Sequence, residues 1–533
     1  MNLKSTGSYY TPNNIADFIC SIIVNKLVHK KLDVLEPSAG DGSFVKALSK
    51  VSELQHKKLM ITAIDISKSE LKKITLEDLS NQVTLETINE DFLKYAIRNE
   101  KKFDLIVGNP PYIKEMLLQK NQLDMCTDIG KQFDVKFKNI WPAFLLLSLN
   151  KLNDNGILAF VLPAELMQVK YAKKIKDILV NYFDRIEIYT FNELIFKDCK
   201  GQDTIIFIGE RRSNSAHGLF FGNIENKEDI KSSDIDFEKH NESSQLKWTS
   251  HILNNEEIVF IEEILKKIPK ISDICTSKTG IVTAANNFFI LNQSDKESLS
   301  LSSDNFKPIL QKSSLVCSGI ILSKNFHHEL CKQDIPCQLL DLKNIDINSS
   351  SSLLNYIRKG EMLGLNKRYK MTKRLNWFEV PNISKPSPIL FFKRSHLYPK
   401  IIKNNAKILA TDSAYYVYPI PGYDANSVVA SFYNSLTLVM AEIQGRYYGG
   451  GVLELTPSEF KSLPLPYKTT DYKQLKTIDK MFRSKKSIND ICLYNDRRLF
   501  SSYGIDLSEK DLLILNSIRE KLVSRRLRLS QIS

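Results

Sequence analysis

The stretch Phe103–Tyr112, FDLIVGNPPY, sets an amide, a bare carbonyl and an aromatic ring in succession at the end of an apolar run. Pro110 and Pro111 lack the backbone N–H needed to continue a ladder or to sit deep in a helix, so the run must stop there. The Asn109 amide, the Pro110 carbonyl and the Tyr112 ring are then held rigidly at the carboxyl edge of a strand. Such a set accepts hydrogen bonds beside a flat stacking surface.

A second set lies upstream. VLEPSAGDGSF (Val34–Phe44) follows one strand and precedes a helix, and Gly40 and Gly42 let the backbone turn tightly toward a ligand. Asp65 closes the next apolar run, where an acid takes ribose hydroxyls in nucleoside-binding sheets. The spacing is G-x-G without the third glycine of a dinucleotide fingerprint, and no Walker lysine follows, so a purely structural turn is also open. Glu36-Pro37 before the turn and Asp91-Phe92 before the Asn-Pro-Pro-Tyr strand favour a ligand. Asp91 can accept from an adenine amino group and Phe92 can cover the ring; alternatively Asp91 is only a cap. One acid for ribose and another for adenine suit S-adenosylmethionine better than a dinucleotide.

These residues need a parallel sheet to hold them. Apolar strands are expected at Leu32–Pro37, Leu59–Asp65, Phe103–Gly108, Ile157–Pro163, Arg185–Phe191 and Thr204–Gly209. Helices are expected at Trp141–Leu152, with Pro142 in its first turn, and near Tyr171–Phe183. Strands alternating with helices predict an α/β, Rossmann-like sheet covered on both faces, with ligands at the strands' carboxyl ends. The expected organisation is a catalytic domain over 1–211, a polar linker or insertion over 212–250, a second domain over 251–467 and a basic helical segment over 468–533. Short aromatic runs in the second domain (NNFFIL, PILFF, AYYVYPI) read as strands, and the serine run Ser349–Ser352 reads as a loop.

The totals narrow the partners. A chain of 533 residues with 43% hydrophobic residues can build two or three cores. Its net charge of +13 points to a polyanion. Eight cysteines are scattered without a CxxC; Cys331 and Cys337 follow His327-His328, but the spacing matches no common zinc finger, and ordinary reduced cysteines are expected. The polar start is no signal peptide and no apolar run reaches membrane-spanning length, so a cytoplasmic protein without a membrane partner is expected.

Taken together, the residues resemble the gamma-group N6-adenine DNA methyltransferases of restriction–modification systems, closely over about residues 7–210. YYTP (Tyr9–Pro12) resembles the family's N-terminal motif, in which Thr11 and Pro12 help hold the methionine end of the cofactor. LEPSAGDGSF resembles the first cofactor motif, Asp65-Ile66 the ribose contact, Asp91-Phe92 the adenine contact and NPPY the catalytic motif. NELIF (Asn192–Phe196) resembles the segment that brings an aromatic against the target base, although the CKGQD that follows blurs its register. TGIVTAANNFFIL and GRYYGGGVLELTPSEFKSLPLP resemble stretches of the family's target-recognition domains.

The resemblance implies S-adenosylmethionine as cofactor, duplex DNA as substrate and, as a separate chain, a cognate restriction endonuclease. It also explains the opening tetrapeptide. An exocyclic adenine amine is a poor nucleophile because its lone pair is delocalised. Asn109 and Pro110 can each accept one N–H and draw the nitrogen toward tetrahedral geometry, while Tyr112 stacks on a base flipped out of the duplex. Phe196 is the candidate for the opposite face; the alternative is a core aromatic.

Related tetrapeptides occur in methyltransferases of protein glutamine and of ribosomal RNA. The early Thr-Pro motif and the 300 residues after the catalytic sheet argue against both. N4-cytosine enzymes usually carry Ser in place of Asn109. A specificity module without activity would not need the intact Asn109, Pro110, Tyr112, Asp65 and Asp91, and no PD…ExK arrangement suggests a fused nuclease. For the DNA itself, Arg358–Lys407 holds thirteen Lys and Arg against two acids, with six aromatics interleaved. Lys367, Arg368, Lys370, Lys373, Arg374, Lys393 and Arg394 are the expected contacts, most to phosphates, with Arg374 or Arg394 reading guanine; a solvated basic face is the alternative.

Overall fold

The computed structural model describes residues 10–528, apart from 170, 197–202, 213–215, 226–229, 231–234, 241–243, 245, 300, 317 and 449. Tyr9 and most of the CKGQD segment lie outside the described residues. The chain divides into two compact units, 1–255 with 448–450 and 527–533, and 256–447 with 451–526.

The first unit is built on a nine-stranded sheet. Its strands are β1 (Lys31–Glu36), β2 (Lys58–Asp65), β3 (Val83–Asn89), β4 (Phe103–Gly108), β5 (Leu152–Pro163), β6 (Arg185–Phe191), β7 (Thr204–Glu210), β8 (Gly218–Ile224) and β9 (Phe237–Lys239). Their spatial order is β3-β2-β1-β4-β5-β7-β6-β8-β9. β1 to β5 run parallel, and β7 is antiparallel to both β5 and β6. The order reverses between β1 and β4, the switch point where α/β sheets bind ligands.

Hydrophobic clusters cover both faces of this sheet, as the near-continuous apolar strands require. Helix α1 (Asn13–Lys26) and helix α2 (Ser43–Leu54) contribute to one cluster, and helix α3 (Phe92–Arg98) to the other. Beside α3 packs helix α5 (Trp141–Lys151), ten of whose eleven residues are buried. Between them in sequence, helix α4 (Lys120–Phe133) follows the NPPY loop.

Three features differ from the sequence reading. β3, VTLETIN, is a strand with a mostly exposed side, and its polar alternation hid it in a search for apolar runs. Asn153–Gly156, between the helix expected to end at Leu152 and the strand expected to begin at Ile157, lies inside β5. There the register jumps from Phe103↔Leu152 to Leu105↔Ile157, so the extra residues are absorbed as a bulge. The expected linker over 212–250 carries β8 and β9, which extend the catalytic sheet with Leu219, Phe220, Phe221 and Ile224 buried. Its acid-rich composition masked these few apolar positions.

The second unit holds a five-stranded sheet in the order Cys275–Thr279, Ala414–Pro419, Ile389–Phe392, Lys400–Asn404, Ile321–Leu322. A four-stranded sheet includes Gln338–Leu340 and Phe306–Leu310. PILFF and AYYVYPI form strands, whereas NNFFIL is a helical turn leading into a two-residue strand. Of the serine run, Ser350 caps the helix Ser351–Met362 by accepting from the Leu353 N–H, as short hydroxyl side chains do at helix starts.

The basic segment after 467 folds as three helices, Tyr472–Arg483, Ile488–Phe500 and Glu509–Leu527. They belong to the second unit's interior. Asp479 accepts from the Ile320 and Ile321 N–H groups at 2.6 and 2.9 Å. Arg526 is buried and forms a bidentate pair with Glu442 at 2.7 and 2.8 Å, with a further bond to the His396 carbonyl at 2.7 Å. Removing one partner leaves a charge without water or counter-ion. Arg526→Met is therefore expected to cost about 3–5 kcal/mol, and adding Glu442→Leu should return most of it. Denaturant titration of the single and double variants followed by circular dichroism checks this; equal stability of wild type and Arg526→Met would show the pair to be dispensable.

Candidate active site

β1 ends at Glu36 and the chain turns through Pro37–Gly42 before α2. Gly42 sits at φ +82°, and a Cβ there would lie 2.7 Å from Ile74 Cγ1, so glycine is required for both its conformation and its lack of a side chain. The turn is pinned to its neighbours. The Ala39 N–H donates to the Ile64 carbonyl and the Gly40 N–H to Asp65 Oδ2, both at 2.9 Å. The Ser38 hydroxyl donates to the Asn109 carbonyl at 3.0 Å, and a Cβ at Gly108 would stand in ordinary contact with Pro37 and Glu36. The glycine turn and the NPPY loop are thus one continuous surface at the switch point.

Two buried groups on this surface are unsatisfied. Glu36 is buried, with one carboxylate oxygen lacking a partner, and burial together with the Asp65 and Asp41 charges pushes its carboxyl well above the ordinary range. The Thr11 hydroxyl, just before α1, is likewise buried and orphaned. Buried polar atoms without partners call for an explanation. An α-amino acid end would supply one: its ammonium would satisfy Glu36 and its carboxylate would accept from Thr11, near the α1 N-terminus where Pro12 precedes the first helical residue. Tyr10 closes the same flank: its ring lies 3.7 Å from the position of a Gly40 Cβ, and its hydroxyl donates to Glu70 at 2.9 Å.

The nucleoside end is shaped by β2 and β3. Asp65 uses one oxygen for the Gly40 N–H and the other for the Ser67 N–H, and burial raises its carboxyl above the ordinary value. Each oxygen retains a second lone pair for a ribose hydroxyl. Ile66 beyond it is 66% exposed, an apolar side chain turned outward at a strand end. Asp91 caps α3 by accepting from the Leu93 N–H at 2.9 Å, and its other oxygen accepts from Gln122 Nε2 on α4 at 3.2 Å. Phe92 is buried against Phe144, with ring centroids 5.1 Å apart, and belongs to the core; the expectation that it covers adenine is corrected accordingly. These donors and acceptors, with Gly40 and Pro37 between them, fit S-adenosylmethionine.

At the reacting end, Asn109 and Pro110 leave β4 with the Asn109 backbone held by Ser38. Tyr112 is 8% exposed and its hydroxyl donates to the Val161 carbonyl on β5 at 2.9 Å, so the ring is clamped with little of it facing outward. Phe196 is 6% exposed and packs in the hydrophobic cluster on the other face of the sheet from Tyr112. The structure does not bring the two rings together around one pocket; the ring of Phe196 fills the core where the NELIF segment leaves β6.

The basic stretch also separates into different roles. Lys367, Arg368, Lys370 and Lys373 are exposed, beside Tyr369 at 77% exposure. Lys370, Lys373 and Tyr369 line a concavity of about 720 Å³ shared with Lys343 and Asn376. Arg374 borders the same concavity but donates to the carbonyls of Trp377, Thr283 and Val282 at 3.1, 2.7 and 3.4 Å. A guanidinium so engaged is not available to read guanine, and that expectation is corrected. Arg394 pairs with Glu454 at 3.3 Å and Lys393 lies 3.8 Å from Asp412, so both carry a counter-charge. Gln122 and Lys343 lie outside any motif and were not legible as site residues, whereas Ser38 and Tyr10 lie within the LEPSAGDGSF and YYTP motifs without having been singled out there.

Two family descriptions match the chain: the Eco57I restriction-modification methylase over residues 20–196, and the C-terminal domain of the Type II methyltransferase M.Eco57I over residues 245–500. The Type II methyltransferase M.AccI of Acinetobacter calcoaceticus is 24% identical over 482 residues, covering 86% of this chain and 84% of that protein. M.HincII of Haemophilus influenzae is 26% identical over 234 residues, 44% of this chain and 42% of that protein. Among solved structures, the ATP-dependent Type ISP restriction-modification enzyme LlaBIII bound to DNA aligns with 90% of this chain and 40% of its own, at 12% identity and a TM-score of 0.49. With both units matched in order, and with a glycine turn, acidic strand end and NPPY loop joined at one edge, the chain belongs to the DNA methyltransferases of restriction–modification systems.

Proposed function

We propose that the chain methylates N6 of an adenine flipped out of duplex DNA, with S-adenosylmethionine as donor. The observation that carries this reading is the hydrogen bond from Ser38 to Asn109, which fixes the acceptor pair against the cofactor turn. S-adenosylmethionine supplies an electrophilic methyl group on a sulfonium. Glu36 and Thr11 hold the amino-acid end, Asp65 the ribose and Asp91 the adenine amine. Gln122 must then share or yield its place on Asp91, which makes α4 a cover over the adenine end. The Asn109 side-chain oxygen and the Pro110 carbonyl each accept one N–H of the target amine. They orient its lone pair and stabilise the positive charge that grows on nitrogen during transfer. Tyr112, held by Val161, gives the base a fixed edge to register against.

Duplex DNA, rather than RNA or protein, is favoured by the second unit, whose concavity gathers Lys343, Lys370 and Lys373 around an exposed tyrosine. The cations there sit on phosphates, and sequence is read by neighbouring side chains in the grooves. A separate cognate restriction endonuclease acts on unmethylated copies of the same site. Sequencing of DNA from cells that express the chain should show N6-methyladenine in one short motif; methyl groups on cytosine N4 alone would refute the adenine assignment.

Asn109→Ala should lower the rate of transfer by about 10²–10³, the scale of losing one preorganised hydrogen-bond partner, while leaving cofactor affinity unchanged. Asp65→Ala should do the reverse, weakening S-adenosylmethionine in calorimetry while DNA affinity holds. Full turnover in Asn109→Ala removes the acceptor mechanism, and an unaltered cofactor titration removes Asp65. For the second unit, Lys367→Ala with Lys370→Ala should flatten the slope of log K against log salt by about 0.9 per lost phosphate contact, equally on all sequences. A wild-type slope in that variant would place the duplex elsewhere.

A further inference from the structure

His327 and Cys331 are four residues apart on the short helix Phe326–Lys332, which puts them on one face. Cys337 immediately precedes the strand Gln338–Leu340. The turn between helix and strand brings all three side chains together. Cys331 Sγ is 3.6 Å from Cys337 Sγ and 3.6 Å from His327 Nε2, and one ligand atom from each residue lies within 4.8 Å of the others. We propose that these three side chains bind a thiophilic divalent cation, Zn²⁺, which fastens the helix to the edge of the four-stranded sheet.

The distances carry the argument. With Zn–S near 2.3 Å and Zn–N near 2.0–2.1 Å, a tetrahedral site has S···S and S···N edges of about 3.8 and 3.6 Å. Two edges of the cluster are close to these lengths, and the third is no longer than 4.8 Å. The surroundings supply what ligands need. The buried Gln338 amide donates to Cys331 Sγ at 3.2 Å, as a donor to a thiolate would, and also to Gln293 Oε1 at 3.2 Å. Such outer contacts hold metal ligands in place. Among the described residues no fourth His, Cys, Asp or Glu joins the group, and the nearby Asp334 carboxylate accepts from Asn292 and Ser294 instead. Solvent therefore takes the fourth position. The helix itself buries only Leu330, so it has little else to hold it.

The arrangement is not that of a disulfide, because a sulfur–sulfur bond is about 2.05 Å long and these atoms are in van der Waals contact. Redox pairing of Cys331 with Cys337 is the rival that the test must separate.

The full chain, purified under reducing conditions without a histidine tag, is assayed for bound metal by plasma mass spectrometry and then refilled with Co²⁺. One equivalent of Zn²⁺ is expected, together with a thiolate-to-cobalt charge-transfer band of tetrahedral intensity. Cys331→Ser should abolish that band, Gln338→Leu should weaken metal affinity by about tenfold, and Cys275→Ser, outside the cluster, should leave both unchanged. Should Cys331→Ser fail to fold by circular dichroism, His327→Gln at its half-buried position takes its place. Lack of bound zinc with no thiolate band overturns the site. So does recovery of Cys331 and Cys337 as a disulfide, or alkylation of both thiols at the same rate with and without added Zn²⁺.

Discussion

The catalytic edge depends on one close approach, that of the end of β4 to the turn after β1. There the Ser38 hydroxyl donates to the Asn109 carbonyl, and Pro37 and Glu36 lie beside Gly108. Neither motif could act without the other. In the proposed reaction the glycine turn positions the donor and NPPY the acceptor amine. A hydrogen bond of one or two kcal/mol is small against the stability of the sheet, but it sets a distance that a reaction must respect. The prolines reinforce it by ending the strand where it must end.

Much of this edge was readable from residue types. β4 and β6 have the boundaries their apolar runs suggest, and α5 ends within a residue of the expected place. Glu36 and Asp65 end β1 and β2 and Asn109 follows β4, because the position of a residue along a parallel strand sets how close it lies to the carboxyl edge of the sheet. What could not be read is which way an aromatic or a cation turns. Phe92 and Phe196 sit beside the right residues yet point into the core, and Arg374 lies in the most basic stretch yet spends its donors on carbonyls. Strand identity is encoded locally, whereas these orientations depend on packing partners distant in sequence, such as Phe144 for Phe92.

Several site carboxylates carry a structural duty as well. Asp65 braces the glycine turn and Asp91 caps α3. Groups already bonded through one lone pair cost less to order when a ligand takes the other. Their shape is set before the cofactor arrives, which is how preorganisation enters the site. Glu36 differs: it is buried, partly unsatisfied and held toward its neutral form, so it carries tension that an ammonium group would relieve.

The bonds that close the second unit impose an order of events on folding. Asp479 reaches back 159 residues to Ile320, and Arg526 reaches back 84 to Glu442. The first unit has long reaches too, from Lys26 to Glu187 and Glu210 across 161 and 184 residues, but its β1, β2 and β3 are joined by short βαβ steps. Loop closure grows only slowly more costly with length, so these long reaches tax the rate more than the final stability. The neighbouring strands β1, β2 and β3 need only short loops to pair, whereas the second unit is not closed until its last helices are present.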